Sequence, residues 1–176
     1  MSNSPTRVVT PTFTASFPNL FEPSGFEGTE PKYSVTMLFD KDVELDELKA
    51  ACLAAIEKKW PEASSRPKNI TMPMLDGDEK LDSNGDPRPE FANKKYAVTK
   101  AKMSHPPKVV DQSLQPILDA NDIYGGVQLR ASVTAFGWSF GGKHGVSLGL
   151  NHIQKMGDGD KFGGSVSVED EFGAAF

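Results

Sequence analysis

The chain has 176 residues, with 19 Lys and Arg against 24 Asp and Glu and hydrophobic residues at 38%, which suits one domain around one core. A single cysteine excludes an internal disulfide framework and a cysteine-based zinc cluster. No apolar run nears the ~20 residues of a membrane-spanning helix and no signal-peptide core opens the chain, so a soluble intracellular protein is expected. The net charge of −5 excludes a uniformly basic nucleic-acid binder, but not one with segregated charge.

In chain order, residues 7–17 alternate with strand periodicity, Val9, Phe13, Ala15 and Phe17 on one side, and Pro11 marks an edge or a bulge. Residues 18–31 carry proline and glycine punctuation and read as a loop. Alternation resumes over 32–39, with Tyr33, Val35, Met37 and Phe39 together. The period then changes. Leu45, Leu48, Cys52 and Ile56, thickened by Ala51 and Ala55, form a helical stripe over 43–60. Glu44, Asp46 and Glu47 start it, Lys58 and Lys59 end it, and Pro61 stops it. Cys52 falls on the buried stripe and reads as packing.

Residues 61–90 read mostly as loop, with a short apolar run at 70–75. Strands are expected at 91–104, at 127–140 and at 146–155, with a resumption at Val109 and Val110 and a turn or short helix near 119–126. The 16 Gly and 13 Pro predict long connections. Five to seven strands and one helix, without α/β alternation, point to a mainly β fold: a small antiparallel barrel, which removes exposed edges.

Two strands carry the functional signal. In 94–103 the odd positions from Ala97 onward suit a core, while Lys94, Tyr96, Lys100 and Lys102 share the other face with Val98. In 127–140, Val127, Leu129, Ala131, Val133 and Ala135 alternate with Arg130, Phe136, Trp138 and Phe140. Cations that track phosphates beside rings that stack bases are what a single-strand binder needs. The competing structural reading bends the second strand at Gly137 and buries its rings under a loop. Lys143, in the connecting turn, could close one end of the groove.

Positive charge concentrates in 94–108, which holds five lysines and no acid. From Gly157 onward five acids face Lys161 alone, and the chain finishes SVSVEDEFGAAF. Residues 1–156 are expected to form the domain and 157–176 a disordered acidic tail. Glu169, Asp170, Glu171, Phe172 and Phe176 would then occupy the basic groove or meet a basic, apolar pocket on a partner, unless the tail only solubilises.

Enzymatic signatures are sparse. His105, His144 and His152 lack metal-site spacing, with His152 placed beside Leu150 at a barrel end. Residues 82–86 brush the calcium-loop pattern without its glycine and distal glutamate. No phosphate-binding glycine loop or nucleophile triad is present. No catalysis, cofactor or metal is expected.

The stretches KYSVTMLFDK (32–41), LDGD (75–78) and PPKVVD (106–111), and the pattern running from Tyr124-Gly125-Gly126 through Phe136, Trp138 and GVSLGLN (145–151) to Gly159, resemble the OB-fold single-stranded DNA-binding proteins of tailed bacteriophages and prophages, over roughly residues 5–160. The resemblance implies a five-stranded OB-type barrel with one inserted helix that coats unwound phage DNA in the host cytoplasm, for replication, recombination or repair. It also implies a tail that contacts replication proteins such as a polymerase or helicase. The helix follows the second apparent strand rather than the third, as in some phage members. On the residues alone, Lys94, Lys100, Lys102 and Arg130 would neutralise phosphates, and Tyr96, Phe136 and Trp138 would stack bases. A phage structural or assembly protein built on a small barrel is the alternative, a metal-dependent nuclease a third reading, and a homo-oligomer stays open.

Overall fold

The computed structural model describes residues 5–25, 28, 30–81, 84–86 and 91–159. Its strands are β1 (Arg7–Val9), β2 (Phe13–Ser24), β3 (Lys32–Asp40), β4 (Ile70–Thr71), β5 (Leu75–Asp76), β6 (Lys94–Lys102), β7 (Lys108–Val110), β8 (Gln128–Phe140) and β9 (Lys143–Gly157), and helix α1 covers Asp46–Lys59.

Five strands close a ring: β2 on β3, β3 on β6, β6 on β9, β9 on β8, and β8 back on β2. This is the five-stranded barrel that the sequence led us to expect, with α1 inserted after its second strand. Four joints are antiparallel. The fifth, β6 on β9, is parallel and short, with Thr99 opposite Leu148 and Lys100 opposite Gly149. An odd-numbered ring cannot alternate direction all the way round, so a parallel joint is unavoidable. Thr99 is fully buried at this joint, and its hydroxyl donates to the Leu148 carbonyl at 3.0 Å. Replacing Thr99 by valine, which keeps the shape and removes the donor, should cost about 1 kcal/mol. A lower urea midpoint at unchanged slope would register it.

The N-terminal strand is split where Pro11 interrupts it. β1 and β2 both run along β8, Val8 opposite Val133 and Phe13 opposite Leu129. Between them the Ala131 N–H donates to the Thr10 hydroxyl at 3.1 Å, so a side chain stands in for the backbone acceptor. The loop expected from residue 18 is instead strand as far as Ser24. The ladder to β3 is irregular between Ser16 and Asn19 and again between Asn19 and Ser24, and Pro18 and Pro23 fall in those intervals. Proline cannot donate to a ladder but is tolerated at bulges, so its presence misdirected the reading of the sequence.

The inward row of each ring strand fills the core. Val35, Met37 and Phe39 come from β3, Ala97 and Ala101 from β6, and Leu129, Ala131 and Val133 from β8, all nearly inaccessible. Phe13 meets Phe39 edge-to-face at 5.7 Å between ring centres. α1 packs mainly on β8 and buries Leu48, Ala51, Cys52, Ala55 and Ile56, the stripe anticipated from its periodicity. Its dipole is met by Asp46 and Glu47 in the first turn and Lys58 and Lys59 in the last.

Burial pushes the Cys52 thiol up to about 11. An unfolded thiol ionises near 8.5, so the folded form is favoured below that pH and loses this advantage as pH climbs towards 11. A thiol reagent at pH 8 should leave native Cys52 untouched and modify it fully in denaturant.

β9 changes its inward parity part-way. Val146, Leu148 and Leu150 are buried, and so is Ile153. The register explains the switch, because Val133 faces Leu150 while Ser132 faces His152, leaving Asn151 as an extra residue. This bulge bends the strand and turns His152 outward to solvent rather than into a barrel-end site. β9 also reaches Gly157. Beyond it, Tyr124 holds Gly159 through O–H to carbonyl (2.9 Å) and N–H to hydroxyl (3.0 Å) bonds, so residues 157–159 belong to the body. The rest of the expected tail, with Glu169, Asp170, Glu171, Phe172 and Phe176, lies outside the described residues.

Candidate nucleic-acid interface

The outward rows of β6, β9 and β8 line a groove of about 790 Å3. β6 contributes Val98, Lys100 and Lys102; β9 contributes Ser147, Gly149 and Asn151; β8 contributes Phe136 and Trp138. Lys32, at the start of β3, and His105 lie at one end, and Thr71, Met72, Pro73 and Leu75 form a rim. The rings on β8 are not buried under a loop: Phe136 is 48% exposed and Phe140, near the hairpin tip, 84%. Trp138 is half-buried.

The floor of the groove explains how the rings stay accessible. Along β9 the outward positions 145, 147, 149 and 151 are Gly, Ser, Gly and Asn. Trp138 lies opposite Gly145 and Phe136 opposite Ser147. A Cβ on Gly145 would come within 2.5 Å of the Trp138 ring and 3.0 Å of the Thr71 carbonyl, so the indole rests directly on the strand. At Gly149 a Cβ would sit 3.6 Å from the Phe136 ring. Small neighbours leave the aromatic surfaces uncovered and the floor low enough for a flat ligand to reach them.

The charges are arranged as unevenly as the rings. On the β3–β6 ladder Asp40 faces Lys94, with which it forms an ion pair, whereas at the other end Lys32 faces Lys102. Like charges directly opposed are destabilising, and among the described residues none of Lys32, Lys100 and Lys102 forms an ion pair. An anion lying between these amines relieves that repulsion. The groove can therefore hold a chain of phosphates along one wall and planar groups along the other.

The structure thus brings Lys100, Lys102, Phe136 and Trp138 together and places the other candidates elsewhere. Tyr96 meets Phe91 edge-to-face at 5.1 Å and has the Lys80 amine 5.7 Å from its ring centre. It lies beneath the segment carrying β5, whose Leu75 pairs with it. That segment sits down because Gly77 approaches the Phe91 carbonyl too closely for any Cβ. Asp78 holds it, accepting from the Asn93 N–H and bonding Lys41. These contacts organise the LDGD turn. Arg130 lies beyond the Asn151 bulge in a smaller groove, donating to the Gln154 side chain at 2.6 Å. Lys143 opens β9, opposite Phe140.

Sequence reasoning passed over Lys32, Val98, His105 and the rim at 71–75. Its most readable omission is the floor. The Gly-Val-Ser-Leu-Gly-Leu-Asn alternation places small residues on the outer face, a signal as clear as the aromatic row it accompanies.

A closed five-stranded barrel with cations and open rings on one outer wall defines an OB-type fold equipped for nucleic acid. A family profile described as the single-stranded DNA-binding protein of Enterobacter phage Enc34 matches residues 6–175, and the chain belongs to that family. Among solved structures, the Enc34 protein in complex with single-stranded DNA aligns with a TM-score of 0.72 at 23% identity, covering 90% of each chain. Another structure of the Enc34 protein aligns at 0.71 and 22% identity, over 95% of this chain and 90% of that one. The single-stranded DNA-binding protein gp2.5 of bacteriophage T7 aligns at 0.58 and 16% identity, over 92% and 97%. No curated protein sequence matches.

Proposed function

We propose that this phage protein binds single-stranded DNA along the β6–β9–β8 groove without sequence preference. It would coat unwound DNA in the host cytoplasm during replication, recombination and repair. Lys32, Lys100 and Lys102 would take phosphates, and Phe136 and Trp138 would stack bases. The supporting observation is the juxtaposition of Lys32 and Lys102, unpaired among the described residues, with rings exposed over a small-residue floor. Backbone neutralisation with stacking tolerates any base. The acidic tail would contact replication proteins.

The test is a titration of labelled oligo-dT, the matching RNA and a duplex at several salt concentrations. The reading expects tight, salt-sensitive binding of oligo-dT and weaker binding of duplex. Equal affinity for duplex and single strand would overturn it. Incubation with magnesium and labelled single strands tests the nuclease reading, which predicts shortened products.

A further inference from the structure

Past the Asn151 bulge, the outer face of the same β8–β9 ribbon forms a second groove of about 310 Å3. Its walls are aliphatic: Val9 from β1, Val110 from β7 and Leu114 from the following loop. Val9 is 52% and Leu114 69% exposed, a considerable apolar surface to leave open. The cations Arg130 and Lys108 stand over it, and Arg7 is near enough, with Lys108, to act on His152. After burial, those two charges are what hold the His152 pKa below its usual value. The groove's lining includes no Phe, Tyr or Trp, its one ring being the His152 imidazole, so its chemistry differs from that of the first. It suits a short peptide with apolar side chains and a cluster of acids.

The chain carries such a segment. Residues 169–176 read Glu-Asp-Glu-Phe-Gly-Ala-Ala-Phe. The described chain ends close by. Gly159 abuts Gly126, and Gly157 pairs with Gln128, two residues before Arg130 on β8 and about 7 Å from it. From Gly159, beside Gly126 and so about 13 Å along the chain from Arg130, the nine residues 160–168 can span up to ~30 Å, more than twice that distance. We propose that the second groove is the seat of this chain's own terminal segment, with Phe172 or Phe176 among Val9, Val110 and Leu114 and the three acids against Arg130 and Lys108. This assignment does not depend on where DNA binds.

The test attaches a nitroxide to the full chain through Ala174→Cys, with Cys52 protected by burial, and reads amide resonances in dilute solution. Broadening should centre on Val9, Val110 and Leu114. It should disappear in Lys108→Glu/Arg130→Glu, and Phe172→Ala should shift the same resonances in the unlabelled chain. Broadening centred instead on Val98 and Gly149 would place the segment in the first groove and overturn the proposal, as would no localised broadening. Broadening of an isotope-labelled, nitroxide-free chain mixed with nitroxide-bearing chains would show a second copy as the donor, which also overturns it. Shifts at Val9 and Leu114 produced by oligo-dT with the segment still in place would assign the groove to DNA instead.

Discussion

Replacing Phe136 and Trp138 together by alanine is expected to weaken binding of single-stranded DNA by at least about 2 kcal/mol, some 30-fold, since each stack contributes ~1–3 kcal/mol. The fold should survive. Both rings lie on the outward row of β8, while the core is formed by Leu129, Ala131, Val133 and Ala135 on the opposite row. The single variants separate two kinds of ring. Phe136 is nearly half exposed, so losing it should act on affinity with little effect on thermal stability. Trp138 also packs on Gly145, so losing it should lower both. Titration with oligo-dT beside a melting curve distinguishes these outcomes. An unchanged affinity in a folded double variant would remove the β8 rings from the interface.

The lysines predict a different signature. Changing Lys100 and Lys102 together to alanine removes two phosphate contacts, each contributing about 0.7 to the slope of log K against log salt for a single strand. The slope should flatten by about 1.4, so the loss of affinity should be about 25-fold greater at 0.1 M salt than at 1 M. Lys94→Ala, at the acid-paired end of the same strand, is the control. Its amine is already committed to Asp40, so the salt slope should stay unchanged. Relief of the Lys32–Lys102 repulsion predicts in addition that the double variant is no less stable than the wild type in the absence of DNA.

How far the sequence could be read depended on whether the signal was periodic. The inward rows of β3, β6 and β8 and the buried stripe of α1 follow the alternation and the 3.6-residue repeat, because a small barrel has one interior and each strand must point half its residues into it. The ladder between β2 and β3 was hidden, because Pro18 and Pro23 fit a bulged strand as well as they fit a loop. The outward turn of His152 was hidden too, since one extra residue at Asn151 reverses the parity of everything after it. In the interface, the cations and rings on β6 and β8 were visible as stripes. The displacement of Tyr96 was not, because it depends on the distant residues Leu75, Lys80 and Phe91 meeting it on β6, contacts that no local pattern encodes. Lys32 escaped for a similar reason: it joins the groove only through its pairing with Lys102 across a ladder of two strands separated by the helix.

The parallel joint between β6 and β9 has a consequence for how the barrel breathes. Only two residue pairs and the Thr99 hydroxyl hold it, against the nine-pair ladder between β3 and β6, so the cylinder should part along this seam before it parts along that ladder. The same seam runs under the groove, between Lys100 on one side and Gly149 on the other. A nucleic-acid strand gripped by amines on β6 and rings on β8 would lie across it as a suture. Occupancy should then slow amide exchange at Thr99 and Leu148 more than in the rest of the sheet.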